Sequence, residues 1–148
     1  MTNVENEHIS FMQEALKEAQ KAYADEEVPI GAIVVIKNKI IARAYNQTEK
    51  LKDPTAHAEM IAITQACNYL GGKYLKDCKI YVTLEPCIMC AGALKWAQIS
   101  DLIYAADDPK TGFSQVNYPI LHPKTKITKG ILCAESESLL KKFFKSLR

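Results

Sequence analysis

With 148 residues, 48% of them hydrophobic, the chain can bury one core and suits a single domain spanning 1–148. No apolar run is long enough to cross a bilayer, and the opening MTNVENEHIS lacks the basic-then-apolar order of a secretory signal, so a cytoplasmic protein with no membrane contact is expected. The net charge is only +2, and five cysteines, an odd number without a signal, argue against a disulfide framework.

Residues 7–24 place Ile9, Met12, Leu16, Ala19 and Tyr23 at helical spacing, which predicts an amphipathic helix. The runs VPIGAIVVIKN and IIARAYNQ flank a turn at Lys37-Asn38-Lys39 and read as a hairpin. Residues 48–55 are polar, with Asp53-Pro54 as a turn signal. Helical spacing returns in AHAEMIAITQACNYL and stops at Gly71-Gly72. A strand KIYVTLE, a short helix CIMCAGALKWAQ and a strand DLIYAAD follow. Residues 108–129 read as irregular, with Pro109, Gly112, Pro119 and Pro123. A strand GILC and a helix AESESLLKKFFKSLR close the chain. This alternation predicts an α/β protein, with one mixed sheet covered by helices on both faces.

The chemistry concentrates in two short stretches, PTAHAEM (54–60) and LEPCIMC (84–90). Cys87 and Cys90, three apart at a helix start, lie on nearly one face and can reach one ion. Helix N-termini favour thiolates. Two thiolates and the neutral imidazole of His57 make a borderline-soft set that suits zinc, and three ligands leave a position for water. Glu59 supplies a base that is not itself a ligand. Residues two apart diverge on an ideal helix, so His57 and Glu59 converge only around a ligand larger than the metal, placed at the helix mouth. Taken alone, C-x-x-C equally suits a redox pair or two buried thiols, and a lone His57 suits a structural histidine. The joint pattern, H-A-E and then P-C-I-M-C after 26 further residues, is far more specific.

H-x-E…P-C-x-x-C is the signature of zinc-dependent nucleobase deaminases. The chain resembles the bacterial tRNA adenosine deaminases of the cytidine/deoxycytidylate deaminase superfamily over almost its whole length. The resemblance lies in EVPIGAIVV, YNQ, DPTAHAEMIAI, YVTLEPCIMCAGA, DPKTGF and the closing GIL…LLKKFFK. It implies a cytidine deaminase-like three-layer α/β/α fold, with a central mixed sheet of about five strands. It also implies zinc on His57, Cys87 and Cys90, Glu59 as proton shuttle, and Asn46 against a flipped-out nucleoside. Asp108 and Lys110 would lie on a loop facing the RNA, and the protein would be a homodimer. Each of these last three residues also has a plainer reading: Asn46 as the end of a strand, and the other two as ordinary loop residues. Between Gly112 and Lys126 the segment is shorter than in the better-known bacterial members.

Three functions share these residues: adenosine-to-inosine editing at the wobble position of a tRNA anticodon stem-loop, deamination of free guanine, cytosine or nucleosides, and a zinc-stabilised binding module. The module needs a fourth protein ligand, for which Cys67, Cys78 and Cys133 are the candidates. RNA is favoured by charge: residues 1–108 hold 11 Lys+Arg and 15 Asp+Glu, while residues 109–148 hold 8 and 2, a local excess of +6. A solvated lysine-rich face would give the same numbers. Phe143, Phe144 and Leu147, interspersed with Lys141, Lys142, Lys145 and Arg148, are expected mostly to face the core.

Overall fold

The structure, a computed structural model, describes residues 2–147. Helix α1 (Asn3–Ala24) starts earlier than its apolar spacing suggests, because Thr2 caps it: the Thr2 hydroxyl oxygen accepts the Glu5 N–H at 3.1 Å. Its buried face is Met12, Ala15, Ala19 and Ala22, while Ile9, Leu16 and Tyr23 flank that face half-buried. The stripe turns towards alanine because the helix lies almost on the backbone of β1 (Gly31–Ile36). A Cβ on Gly31 would overlap the Ala15 carbonyl and the Ala19 nitrogen.

Strands β1 and β2 (Lys39–Tyr45) form the expected hairpin. Its two-residue turn puts Lys37 and Asn38 at φ 48° and 62°, the left-handed conformation such tight turns require. Then follow α2 (Ala58–Leu70), ended by Gly71 at φ 70°, β3 (Cys78–Leu84), α3 (Ile88–Ala97) and β4 (Asp101–Ala106). A 3-10 turn at Phe113–Gln115, β5 (Lys126–Lys129) and α4 (Cys133–Ser146) complete the order.

The five strands form one sheet in the order β2-β1-β3-β4-β5. Strand β1 is antiparallel to both β2 and β3, and β3, β4 and β5 are mutually parallel. Hence β2, β3, β4 and β5 all run one way, and their C-terminal ends share one edge. Alternation along the strands splits the core. Ala32, Val34, Ile80, Val82 and Leu102 pack under α2 and α3, against Ala62, Ala66, Ala91 and Leu94. Ile33, Val35, Tyr81 and Ile103 pack against Met12 and Ala15 of α1 on the other face, where Leu132 also joins them. The three-layer mixed sheet expected from the sequence is the fold observed.

Two expectations at the C-terminal end are corrected. The last strand is KITK at 126–129, not GILC at 130–133. Lys126–Lys129 pairs with Asp101–Tyr104, and then Gly130 (φ 87°) and Leu132 (φ 57°) turn the chain into α4, so Cys133 begins a helix. Backbone pairing makes this edge strand, and its exposed side chains carry no alternating apolar signal. Of the three apolar residues expected mostly to face the core, Phe143 does so, edge-on to Tyr23, whereas Phe144 and Leu147 are 49% and 67% exposed. Arg148 lies outside the described residues.

Gly31→Ala should destabilise the protein by about 1–3 kcal/mol, the usual cost of overpacking. Urea unfolding would show this as an earlier midpoint with an unchanged slope. An unchanged midpoint would mean that α1 can back away from the sheet.

Candidate metal and substrate site

At the shared C-terminal edge, β2 leads to the N-terminus of α2 and β3 to the N-terminus of α3. His57 and Cys87 are the residues just before these helices, both extended (φ −72°, ψ 153° and φ −73°, ψ 175°). This is the position where Ser, Thr, Asp or Asn commonly caps a helix with a side-chain oxygen. Neither side chain caps its own helix. Both turn to the space between the helices, where Cys90 joins them from the first turn of α3. Because His57 precedes α2 and Glu59 lies inside it, the two-residue spacing no longer forces them apart.

The Cys87 and Cys90 sulfurs lie 3.6 and 3.5 Å from His57 Nδ1, and the three ligand atoms all fall within 4.8 Å of one another. A tetrahedral centre with S at about 2.3 Å and N at about 2.0–2.1 Å has S···N edges of about 3.6 Å, so the triangle fits zinc. Among the described residues Cys67, Cys78 and Cys133 do not join this group. Cys67 and Cys78 pack in the core, and the Cys133 thiol donates to Glu137 Oε1 at 2.8 Å. Among the described residues no fourth protein ligand closes the site, which removes the main support for a structural zinc module.

The protonation pattern suits a cation. Its hydrogen bond with Cys90, and then its contact with His57, lower the Cys87 thiol to about 4. The same contact with Cys87, with burial, raises Cys90. The Cys87 contact also raises His57, so a metal bound here would displace protons from this set. Burial pushes Glu59 up to about 7. Glu59 is 3% exposed and Asn46 5%, and among the described residues Glu59 Oε1 and Asn46 Oδ1 are the buried side-chain oxygens with no hydrogen-bond partner. A buried polar atom left unsatisfied costs about 1–3 kcal/mol, so both oxygens mark where a bound molecule must supply donors. Asn46 does close β2, since its N–H donates to the Ile30 carbonyl at 3.0 Å, but of its side-chain atoms only Nδ2 has a partner, the Val28 backbone carbonyl at 3.5 Å. Gln47 N–H donates to the Ala56 carbonyl at 3.0 Å and ties this end of β2 to the residue before His57.

Asp108 and Lys110 follow β4 at the same edge. The Asp108 carboxylate is engaged by its own loop: Oδ1 accepts the Lys110 and Thr111 N–H groups, and Oδ2 accepts the Thr111 hydroxyl. Lys110 is exposed. The residues that sequence reasoning missed are two buried glutamates. Glu27, 1% exposed, accepts the Glu49 and Lys50 N–H groups at 3.1 and 2.7 Å. Glu85, 2% exposed, accepts the Asp108 and Ser114 N–H groups at 3.0 and 2.9 Å. The one sequence signal was a charged residue at the end of an apolar strand, and its partners lie 23 and 29 positions away.

The cytidine and deoxycytidylate deaminase zinc-binding region matches residues 5–106, which hold all three candidate ligands. The chain belongs to this deaminase family. A tRNA-specific adenosine deaminase from Aquifex aeolicus (strain VF5) is 48% identical over 143 residues, covering 93% of this chain and 94% of its own. A solved structure from work on A-to-I editing by tRNA:A34 deaminases at the wobble position of transfer RNA is 43% identical. It covers 88% of this chain and 99% of its own, with a TM-score of 0.83. A guanine deaminase from Bacillus subtilis is 39% identical, but it covers 72% of this chain and 66% of its own, with a TM-score of 0.65. The deaminase is thus a zinc-dependent hydrolase whose fullest matches among these are to the tRNA enzymes.

Cys87→Ala and Cys90→Ala should each lower bound zinc well below the parent's one ion per chain, measured by metal analysis of the folded protein. Full zinc in both variants would remove these residues from the ligand set.

Proposed function

We propose that the protein hydrolyses adenosine to inosine at the wobble position of tRNA, releasing ammonia. The observation that carries this reading is Glu59 Oε1, buried and unpartnered beside a His-Cys-Cys triangle that fits zinc. The near full-length similarity to tRNA-specific adenosine deaminases supplies the substrate class. His57, Cys87 and Cys90 hold the metal. Zinc, when bound, supplies the Lewis acid that brings the pKa of water towards neutrality. Glu59 accepts the proton of that water and passes it to a ring nitrogen while the amine-bearing carbon is attacked. It then takes the second proton of the water from the new C–OH group and delivers it to the amino group, which leaves as ammonia. A carboxyl raised to about 7 by burial exchanges protons readily at neutral pH. Asn46 Oδ1 accepts a hydrogen bond from the nucleoside, and Asp108 and Lys110 belong to the loop that meets the RNA.

Incubation with a matched tRNA anticodon stem-loop should yield inosine, while free bases and nucleosides release little ammonia. Glu59→Ala should keep the zinc and the fold and lose about 10²–10⁴-fold in turnover, the usual share of a general acid–base group. Faster deamination of free guanine or cytidine than of RNA would move the assignment to a small-molecule deaminase. Near-normal turnover by Glu59→Ala would assign the proton transfer elsewhere.

The exposed Lys141, Lys142 and Lys145 of α4, with Phe144 and Leu147 exposed among them, supply charge and a stacking surface for the RNA strand. Changing Lys141, Lys142, Lys145 and Arg148 to Gln, at an unchanged melting temperature, should weaken stem-loop binding at low salt and flatten its salt dependence. Equal binding across salt would leave the charge as a solvated face.

A homodimer is supported by the apolar surface on the α2–α3 side, where Trp96 is 80% exposed, Tyr69 53% and Tyr74 45%. Sedimentation should find twice the chain mass, and Trp96→Glu should shift it towards the monomer. A parent that sediments as a monomer at micromolar concentration overturns this. Five free thiols fit residence in the cytoplasm.

A further inference from the structure

Glu85 directly follows β3, two residues before Cys87, and it is buried with no cation bonded to its carboxylate among the described residues. A carboxylate in that position must be satisfied by other donors. It finds them across the site edge, in the segment after β4. Oε1 takes the N–H of Asp108 and Oε2 the N–H of Ser114, so one side chain grips both ends of the 108–114 loop. Between these two points the loop passes so close that a Cβ on Gly112 would overlap the Glu85 carboxyl group and the Asp108 carbonyl. Glycine is required there by the approach itself. Two backbone contacts run alongside: Phe113 N–H donates to the Pro86 carbonyl at 2.9 Å, and Cys87 forms an isolated bridge with Gly112.

We propose that Glu85 is a positioning residue: its carboxylate fixes the Asp108–Ser114 loop against the helix that carries Cys87 and Cys90, and so sets RNA affinity rather than the chemical step. The proposal rests on the reading above that this loop meets RNA. Among the described residues Glu85 shares no hydrogen bond with the metal triangle or with Glu59. What it controls is the placement of Asp108 and Lys110, and charge-assisted hydrogen bonds are the strong ones for that task.

Glu85→Gln keeps the shape and replaces one acceptor oxygen with an NH2 group, which then faces a backbone donor. Gly112→Ala perturbs the same contact from the loop side. Both should raise hydrogen exchange at the Asp108 and Ser114 amides about tenfold or more, the scale of one lost charge-assisted bond. Both should raise KM for a stem-loop by a similar factor, with zinc content unchanged and kcat within about twofold. Glu27→Gln is the control for losing a buried carboxylate elsewhere, since it should free the Glu49 and Lys50 amides and leave 108–114 protected. Unchanged exchange in both Glu85→Gln and Gly112→Ala overturns the proposal. So does loss of kcat or zinc at unchanged KM, or unfolding of both variants, either of which makes Glu85 a residue of the fold. Exchange needs no substrate. If the parent fails to edit RNA, the tRNA reading falls while the clamp is still decided.

Discussion

The site depends on two helix N-termini aimed at one point. Each brings backbone N–H groups without intrahelical partners and the positive end of a helix dipole. Two such ends together would repel and leave donors unsatisfied unless something anionic lay between them. The Cys87 and Cys90 sulfurs fill that role, and a hydrolytic oxygen species can share it. The residues before the helices, His57 and Cys87, leave their own helices uncapped and turn inward. Capping energy of about 1 kcal/mol per helix is thus given up for ligands held by rigid elements.

Strand direction explains why everything needed arrives at the same edge. Reversal of β1 alone lets β2, β3, β4 and β5 run one way in a sheet whose order is not its sequence order. Each segment leaving a C-terminal end then brings candidate residues to that edge: Asn46 after β2, Glu85 and the thiols after β3, Asp108 and Lys110 after β4. The crevice outside the carboxyl ends of strands is where open α/β sheets bind ligands. The rim is formed by loops, but these loops are not loose. Glu27 holds residues 49–50, and Glu85 holds 108 and 114, each through backbone N–H groups. Buried carboxylates, which would be liabilities in a purely structural core, here turn flexible connections into walls.

What was legible in the sequence was local. His57, Glu59, Cys87 and Cys90 announce themselves by spacing within two short stretches, and the helices and first four strands by periodicity. What was not legible depended on distant partners. Glu85 reads as an isolated acid until the chain returns 23 and 29 positions later. KITK has no alternating apolar signal and becomes a strand because β4 offers it a ladder. In α1 the spacing identifies Met12 and Ala19, which are buried, but Ile9, Leu16 and Tyr23 only flank the core, because close approach over Gly31 selects alanines there. Phe144 and Leu147 show the same limit: helical spacing fixes which residues share a face, but not how far the neighbouring sheet extends beneath them.

The sheet's two outer strands bear on how copies of the molecule can meet. On β2, Arg43 N–H is taken by Gln65 Oε1 from α2 at 3.1 Å, so a donor that another strand could use is occupied. At the opposite border β5 is four residues long and begins and ends in lysine. A short strand flanked by like charge is a poor template for a second chain, because pairing would set lysine against lysine. Growth by strand addition, the route to fibres, is therefore discouraged at both borders.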